Sequence, residues 1–249
     1  VIIHEYPILL ENDKMGSFNE IRFETVKNYH HPTLNGYWHS VTSGDIDKNG
    51  ITDILLVSPT PNGVSAKIEY NGTEYVVYSL FEFENKKTFQ KFTTELVDLD
   101  SDGIGEIFLG GNDYNDGSWF SDTQFTNSYV IKNGIEIPIP RVDGFDTILD
   151  FQFYDLDNDG DLDVIIDRTT NRYDRYYIQI LKNNNSSFED ITNDVISSES
   201  DVLLYPGVLT WLIVTDYDND GIYELLTQSP LQNTKEIIWE IKNGKFIRE

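Results

Sequence analysis

Residues Asp155–Ile166 read DLDNDGDLDVII, five aspartates within nine residues followed at once by an apolar run. Two carboxylates 4 Å apart repel by about 4 kcal/mol at an effective dielectric of about 20, so a lone cluster of this kind ordinarily belongs to a solvated loop. This cluster is not alone. DIDKNGITDILL from Asp45, DLDSDGIGEIFL from Asp98 and DYDNDGIYELLT from Asp216 align with it without gaps. The shared pattern is D-x-D-x-(D/N)-G-x-x-(D/E) followed by mostly apolar residues, and successive copies lie 53, 57 and 61 residues apart. Self-similarity at such a period marks a repeat architecture.

The surroundings of each copy read as strands. YWHSVTSG, FTTELV, LDFQFY and WLIVT precede the four motifs, and ITDILLVS, EIFLGG, DVIID and YELLTQS follow them. Further strand candidates include AKIEY, EYVVYSLFEF, SYVIK, YYIQILK and KEIIWEIK, several set off by the turns YNGTEY, IKNGIEI, LKNNNSSF and IKNGKF. Asn-Gly favours the type I′ turn that joins antiparallel strands. The only helix the pattern allows is a short one near Ile191–Ser200. Four strands per unit, repeated at this period, are the signature of β-propeller blades. The expectation is an all-β chain forming one domain over 1–249, a small β-propeller of four or five four-stranded blades. The blades are expected at 37–89, 90–146, 147–207 and 208–249. Residues 1–36 lack the motif and read as a hairpin, VIIHEYPILL and EIRFETV around ENDKMG, that either completes the last blade or is half of a fifth.

Composition narrows the function. The 249 residues are 39% hydrophobic and 13% aromatic, enough to bury a core. Net charge is −25, from 18 basic and 43 acidic residues. Phosphate backbones and anionic membranes both call for clustered Lys and Arg, so neither nucleic acid nor an anionic bilayer is an expected partner. No stretch approaches the length of a membrane span. The absence of cysteine excludes disulfides, thiolate catalysis and cysteine zinc sites. The first residue is Val1 and no basic-then-apolar leader follows it, which fits a processed piece of a longer precursor with further domains.

The acidic loops have the chemistry of a hard cation site. Alternate side chains of D-x-D-x-D converge on one point, and the glycine permits a turn that a Cβ would hinder. The residue after Gly offers its carbonyl, and the last acid closes an oxygen-only cage that suits Ca²⁺ first and Mg²⁺ second. The expected side-chain ligands are Asp45, Asp47, Asn49 and Asp53; Asp98, Asp100, Asp102 and Glu106; Asp155, Asp157, Asp159 and Asp163; and Asp216, Asp218, Asp220 and Glu224. Carbonyls are expected from Ile51, Ile104, Asp161 and Ile222, with the side chain of Asp161 pointing outward. An EF-hand would place a bidentate Glu at position 12 between two helices. Here position 12 is Leu56, Leu109, Ile166 or Thr227, the closing acid is at position 9, and the flanks are strand-like.

From about Gly36 to Glu249 these motifs resemble the FG-GAP-type repeats of integrin α-subunit propellers and their bacterial relatives, and YYIQILKNNNSSFEDIT is similar to the second half of such a repeat in bacterial surface proteins. The resemblance implies that each calcium loop joins the first and second strands of a blade, that about four ions are bound per chain, and that the ions are structural. Extracellular calcium modules bind at about 10⁻⁴ to 10⁻³ M, so such loops would stay largely empty in a calcium-poor cytosol, and a secreted or cell-surface location is expected. Integrin-like propellers have seven blades, which do not fit in 249 residues at this period. The chain is thus expected to be a smaller ring or part of a larger one.

Other features carry less. His4, His30, His31 and His39 show no ligand spacing, and neither a G-x-S-x-G elbow, a P-loop nor a Rossmann glycine pattern occurs. Trp38, Trp211 and Trp239 lie in strand-like runs and are expected to pack in the blades. Tyr114, Trp119 and Phe120, in the polar stretch GGNDYNDGSWFSD, are the candidate ligand-binding face, against the plainer reading of Trp119 as a buried strand residue. The expected function is a non-enzymatic binding or adhesion module for carbohydrate or protein. The alternatives are a polysaccharide lyase or hydrolase on the same scaffold, or an architectural domain of a larger surface protein. Loop one carries Asn49 where the other three carry aspartate, one charge fewer. It is expected to bind calcium several-fold more weakly than the others, and a calorimetric titration ranking it tightest would refute this.

Overall fold

The computed structural model describes residues 8–22, 38–58, 65–79, 91–111, 128–170, 172–185, 187–196, 209, 211–228 and 238–248. Strands β1 (Ile8–Asn12) and β2 (Phe18–Arg22) form a two-stranded sheet, and four four-stranded antiparallel sheets follow. Sheet one comprises β3 (Ser40–Gly44), β4 (Asp53–Val57), β5 (Ala66–Tyr70) and β6 (Tyr75–Ser79). Sheet two comprises β7 (Lys91–Val97), β8 (Glu106–Gly111), β9 (Tyr129–Lys132) and β10 (Ile135–Pro138). Sheet three comprises β11 (Thr147–Tyr154), β12 (Asp163–Thr169), β13 (Tyr176–Asn183) and β14 (Phe188–Asp190). Sheet four comprises β15 (Trp211–Thr215), β16 (Tyr223–Gln228), β17 (Ile238–Lys242) and β18 (Lys245–Arg248). All four are meanders in chain order, and one short helix, α1 (Thr192–Val195), lies between sheets three and four in the chain.

Turn chemistry sets the outer hairpins. Asn133-Gly134 and Asn243-Gly244 both take positive φ at the two central positions, 50° and 75° in the first and 52° and 68° in the second, joining β9 to β10 and β17 to β18. That is the geometry a two-residue type I′ turn requires. Asn71-Gly72 sits in a longer turn between Tyr70 and Tyr75, where Asn71 Oδ1 instead accepts the N–H groups of Thr73 and Glu74, each at 3.0 Å.

The core is divided by the sheets. Leu55 and Val57 of sheet one meet Ile107, Leu109, Tyr129 and Ile131 of sheet two. Phe108 and Val130 of sheet two meet Ile148, Phe151, Val164, Ile166 and Leu181 of sheet three. Ile165, Ile178 and Ile180 of sheet three meet Leu212, Leu225, Trp239, Ile241 and Phe246 of sheet four, with Val195 and Ile196 at the end of α1. Strands β8 and β12 are therefore buried along both faces, which is why EIFLGG and DVIID read as nearly continuous apolar runs rather than alternating ones.

First strands lie against first strands: β3 against β7, β7 against β11, β11 against β15. Two of these junctions share one hydrogen-bond scheme. Ser40 Oγ and Thr42 Oγ1 accept the N–H groups of Thr94 and Leu96 at 3.3 and 3.2 Å. Asp150 Oδ2 and Gln152 Oε1 accept those of Leu212 and Val214 at 2.8 and 3.4 Å. In both, the side chains five and three residues before one motif bind the backbone four and two residues before the next. At the middle junction the rings of Phe151 and Phe153 stand 5.4 and 4.9 Å from that of Phe108.

Several expectations change here. The β1–β2 hairpin does not extend sheet four, which already has its own four strands; Leu9 and Ile21 pack on sheet one beside Trp38, Leu56, Ala66, Ile68 and Val77. Trp38 and Trp239 are buried as expected, whereas Trp211 is 53% exposed. Trp211 shares with Ile213 the face of β15 turned away from sheet three, so strand character did not bring burial with it. His39 is exposed, with Nδ1 2.6 Å from the Phe92 carbonyl, and His4, His30 and His31 lie outside the described residues. No helix among the described residues is long and apolar enough to cross a membrane.

Gly110 marks how closely sheets two and three approach. A Cβ built there would lie 2.6 Å from Thr93 Cγ2, 2.8 Å from Ile148 Cγ2 and 3.0 Å from Phe151 Cε2. Overfilling a packed interface costs about 1–3 kcal/mol. Gly110→Ala is expected to lower the denaturant midpoint accordingly with an unchanged slope; an unmoved midpoint would show that this contact has slack.

Candidate metal centre

Each motif forms the turn from the first strand of a sheet to its second: β3 to β4, β7 to β8, β11 to β12 and β15 to β16. Counting the first aspartate as position 1, the backbone folds onto its own carboxylates. Position 1 accepts the N–H of the position-6 glycine through Oδ2, at 2.8 Å for Asp45, 2.8 Å for Asp98, 3.1 Å for Asp155 and 3.1 Å for Asp216. Position 3 accepts the N–H of position 5, at 3.2 Å in loop one, 3.3 Å in loops two and three and 3.1 Å in loop four. The side chain at position 5 accepts the N–H of position 7, so Asn49, Asp102, Asp159 and Asp220 bind Ile51, Ile104, Asp161 and Ile222 at 2.7, 2.7, 3.2 and 2.8 Å.

The closing acid at position 9 is the first residue of the second strand in loops one to three and the second residue in loop four, and it reaches back to accept the N–H of position 2. Asp53 binds Ile46 at 3.2 Å, Glu106 binds Leu99 at 2.8 Å, Asp163 binds Leu156 at 3.0 Å and Glu224 binds Tyr217 at 2.7 Å. All four acids are buried. Desolvation pushes the carboxyls of Asp53, Glu106 and Asp163 above their ordinary range.

In every loop three carboxylates come together with ligand oxygens within 4.8 Å of one another. The groups are Asp45, Asp47 and Asp53; Asp98, Asp100 and Glu106; Asp155, Asp157 and Asp163; and Asp216, Asp218 and Asp220. Positions 1, 3 and 9 thus converge in loops one to three. Loop four substitutes Asp220 for Glu224. In loops two and three the position-5 aspartates Asp102 and Asp159 stand outside these groups, whereas Asp220 belongs to its group while making the same turn to position 7, a turn that Asn49 also makes in loop one. The donor set is all oxygen. Asp53 Oδ1 and Asp216 Oδ1 are also buried without a hydrogen bond, which an ion in the cluster would satisfy. These residues fit a hard cation, with positions 1, 3 and 9, or 1, 3 and 5 in loop four, holding it; bound there, it would supply positive charge where the carboxylates repel.

Asp161 departs from expectation. Its side chain does not simply face outward: Oδ1 is buried, and the carboxyl is pushed up to about 6, first by desolvation and then by Asp159 beside it. Asp161 is only half-buried overall, and Asp159 and Asp163 stand two residues away on either side, so it joins the crowd of charge it was expected to avoid.

Sequence reasoning missed two features. Position 4 adopts the left-handed backbone region, with φ of 59° at Lys48, 58° at Ser101, 60° at Asn158 and 63° at Asn219. Asn158 and Asn219 were the available signal, because Asn tolerates that region better than most residues. The second feature is a lysine on the third strand. Lys132 Nζ lies 2.8 Å from Asp100 Oδ2 and 4.0 Å from Glu106 Oε1. Lys182 donates to Asp157 and lies 3.6 Å from Asp159, and Lys67 Nζ lies 3.5 Å from Asp53 Oδ1 and 2.8 Å from Glu69 Oε2. The Lys132 hydrogen bond holds the Asp100 carboxyl below the ordinary range. Lysine in a strand reads as solvent-facing, so nothing in the local pattern distinguished these three.

Tyr114, Trp119 and Phe120, the candidate ligand-binding face, lie outside the described residues. In comparisons with known proteins, neither a family model nor a curated protein matches the chain.

Lys132 supplies a positive charge that an incoming cation must share the loop with. Lys132→Met is expected to tighten calcium binding at loop two by about fivefold, roughly 1 kcal/mol, the scale of a partly exposed ion pair. Calorimetry on the variant showing weaker binding would mean that the lysine helps to assemble the cage instead.

Proposed function

We propose that this chain is a calcium-stabilised β-propeller module of the FG-GAP kind, acting outside the cell as a binding or adhesion unit for a carbohydrate or another protein. The observation that carries the reading is the recurrence of one acidic cluster at one place: four times, in the turn between the first and second strands of a four-stranded meander, with first strands packed side by side in chain order. Propeller blades are four-stranded meanders arranged around a shared axis by their first strands. Sheets one to four are the four blades on this reading, and the β1–β2 hairpin against sheet one is part of a fifth.

Calcium is the favoured ion because the ligands are carboxylates in flexible turns. Its role is mechanical: it cancels the repulsion among three carboxylates and fixes the angle at which one strand leaves another. A scaffold held in this way can present binding residues, for which Tyr114, Trp119 and Phe120 are the candidates. Extracellular calcium modules bind at about 10⁻⁴ to 10⁻³ M, which supports a secreted or surface setting. No catalytic role is assigned, because the acids of the loops are taken up by metal and turn.

The test is thermal unfolding with calcium and with a chelator, beside metal analysis. A site saturated a hundredfold above its dissociation constant adds about 2.7 kcal/mol, or about 5–10 °C in Tm for a chain of this size. Chelation is expected to lower Tm by at least that much per loop, with about four calcium ions per chain in the untreated protein. An unchanged Tm and a metal-free protein would count against the reading.

A further inference from the structure

Outside the loops, the described residues hold one more concentration of buried acid. Asp150 on β11 and Asp167 on β12 are directly opposed in the antiparallel register, so their side chains leave the same face of sheet three. Both are four residues up their strands from loop three, about 13 Å at the usual strand rise. The face is the one that carries Ile165, Ile178 and Ile180 against sheet four. Asp167 is fully buried, and neither of its carboxylate oxygens has a hydrogen-bond partner. Asp150 is buried too and has Oδ2 engaged by the N–H of Leu212 on β15. Glu95, from β7, is the third acid in electrostatic reach of Asp150, and accepts a hydrogen bond from Thr42 Oγ1 at 3.3 Å.

Among the described residues, no ion pair answers these charges. The nearest cation along the chain is Arg168, which leaves the opposite face: Nε binds Gln179 Oε1 at 2.7 Å, Nη2 the Pro140 carbonyl at 2.8 Å and Nη1 the Phe145 carbonyl at 3.3 Å. Without a counterion, burial pushes the Asp150 carboxyl up to about 6 and that of Asp167 well above its ordinary value. A shared proton does not resolve the pair, because neither oxygen of Asp167 stands within hydrogen-bonding distance of Asp150. A protonated Asp167 would still be a buried hydroxyl with nothing to donate to, itself an unfavourable state. A small cation between the two carboxylates removes both faults at once, since oxygen ligands around a divalent ion stand farther apart than hydrogen-bonded oxygens.

We infer that Asp150 and Asp167, opposed across β11 and β12, form a fifth cation site at the junction of sheets three and four, separate from the four loops and taking a divalent, oxygen-seeking ion such as Ca²⁺. The site is enclosed where the loops are exposed. Its ion enters as sheets three and four come together during folding, and exchanges slowly afterwards. Because Asp150 also holds the backbone of β15, the ion ties the docking of sheet four to the cation.

The experiment counts ions in native mass spectrometry of wild type and Asp167→Asn, with calcium alone as probe. Each is measured first at saturating calcium and then after prolonged chelation under native conditions. The expected result is one ion fewer in the variant in the first measurement, and one retained ion per wild-type chain against none in the variant in the second. Equal counts in the two proteins, or no retained ion in wild type, would overturn the site while leaving the loop count to judge the propeller reading on its own. A protonated-carboxyl infrared band in wild type that vanishes in Asp167→Asn would overturn it as well, by showing a proton in place of the ion. If Asp167→Asn does not fold, anomalous diffraction from wild-type crystals decides: a calcium peak between Asp150 and Asp167 supports the site, and a water or empty density there refutes it.

Discussion

The bond from the position-9 carboxylate back to the N–H of position 2 is the constraint on which the rest of the chain is organised. It occurs in all four loops, at 3.2, 2.8, 3.0 and 2.7 Å, and each time the acid is buried at the first or second residue of a second strand. A single side chain thereby closes the acidic turn at the start of the second strand, and in loops one to three it also joins the cluster. Register follows from that start, and in a sheet buried on both faces a slip of one residue would exchange every side chain between two different interfaces. In loop three both oxygens of the acid take backbone N–H groups, Oδ2 that of Leu156 and Oδ1 that of Asn183 at 2.9 Å.

From that fixed point the sheets are joined to one another by two kinds of contact. Near the first strands, Ser40, Thr42, Asp150 and Gln152 bind backbone N–H groups of the next unit, which spares those groups an unsatisfied burial. Farther out the interfaces are apolar, and the middle one is dominated by Phe108 with Phe151 and Phe153. Arg168 is the exception inside sheet three, a buried guanidinium satisfied by Gln179 and two carbonyls, with Gln179 in turn donating to Asp190 at 2.8 Å. Its planar donors fit such a fixed set of acceptors in a way that a lysine would not.

Much of this was legible before any coordinates. Four gapless copies of one motif located the loops, the strand-like flanks located the first and second strands of each sheet, and Asn133-Gly134 and Asn243-Gly244 announced their turns. What was not legible depended on neighbours distant in the chain. Trp211 reads like Trp239, yet one is 53% and the other 1% exposed, because burial depends on which face meets another sheet. Lys132 reads as a surface residue, and only the pairing of β8 with β9 brings it to Asp100 and Glu106. Asp150 and Asp167 are separated by an entire loop in sequence, and only the register of β11 on β12 makes them face each other. The Asx-type turn from position 5 to position 7 was not legible either, because it depends on how the backbone folds back on that side chain.

The partition of the core into separate interfaces, each shared by two consecutive sheets, makes the chain nearly one-dimensional as an energetic object. Each sheet's stability is the sum of its own term and its coupling to two neighbours, as in stacked-repeat proteins. Damage therefore spreads by adjacency. A defect at the interface of sheets two and three weakens both of them before it reaches the β1–β2 hairpin or β18, whereas a defect at either end peels one unit away. Such a chain can vary one unit, or its loop, while the others keep their packing, and the sequence differences among its four loops are differences of that kind.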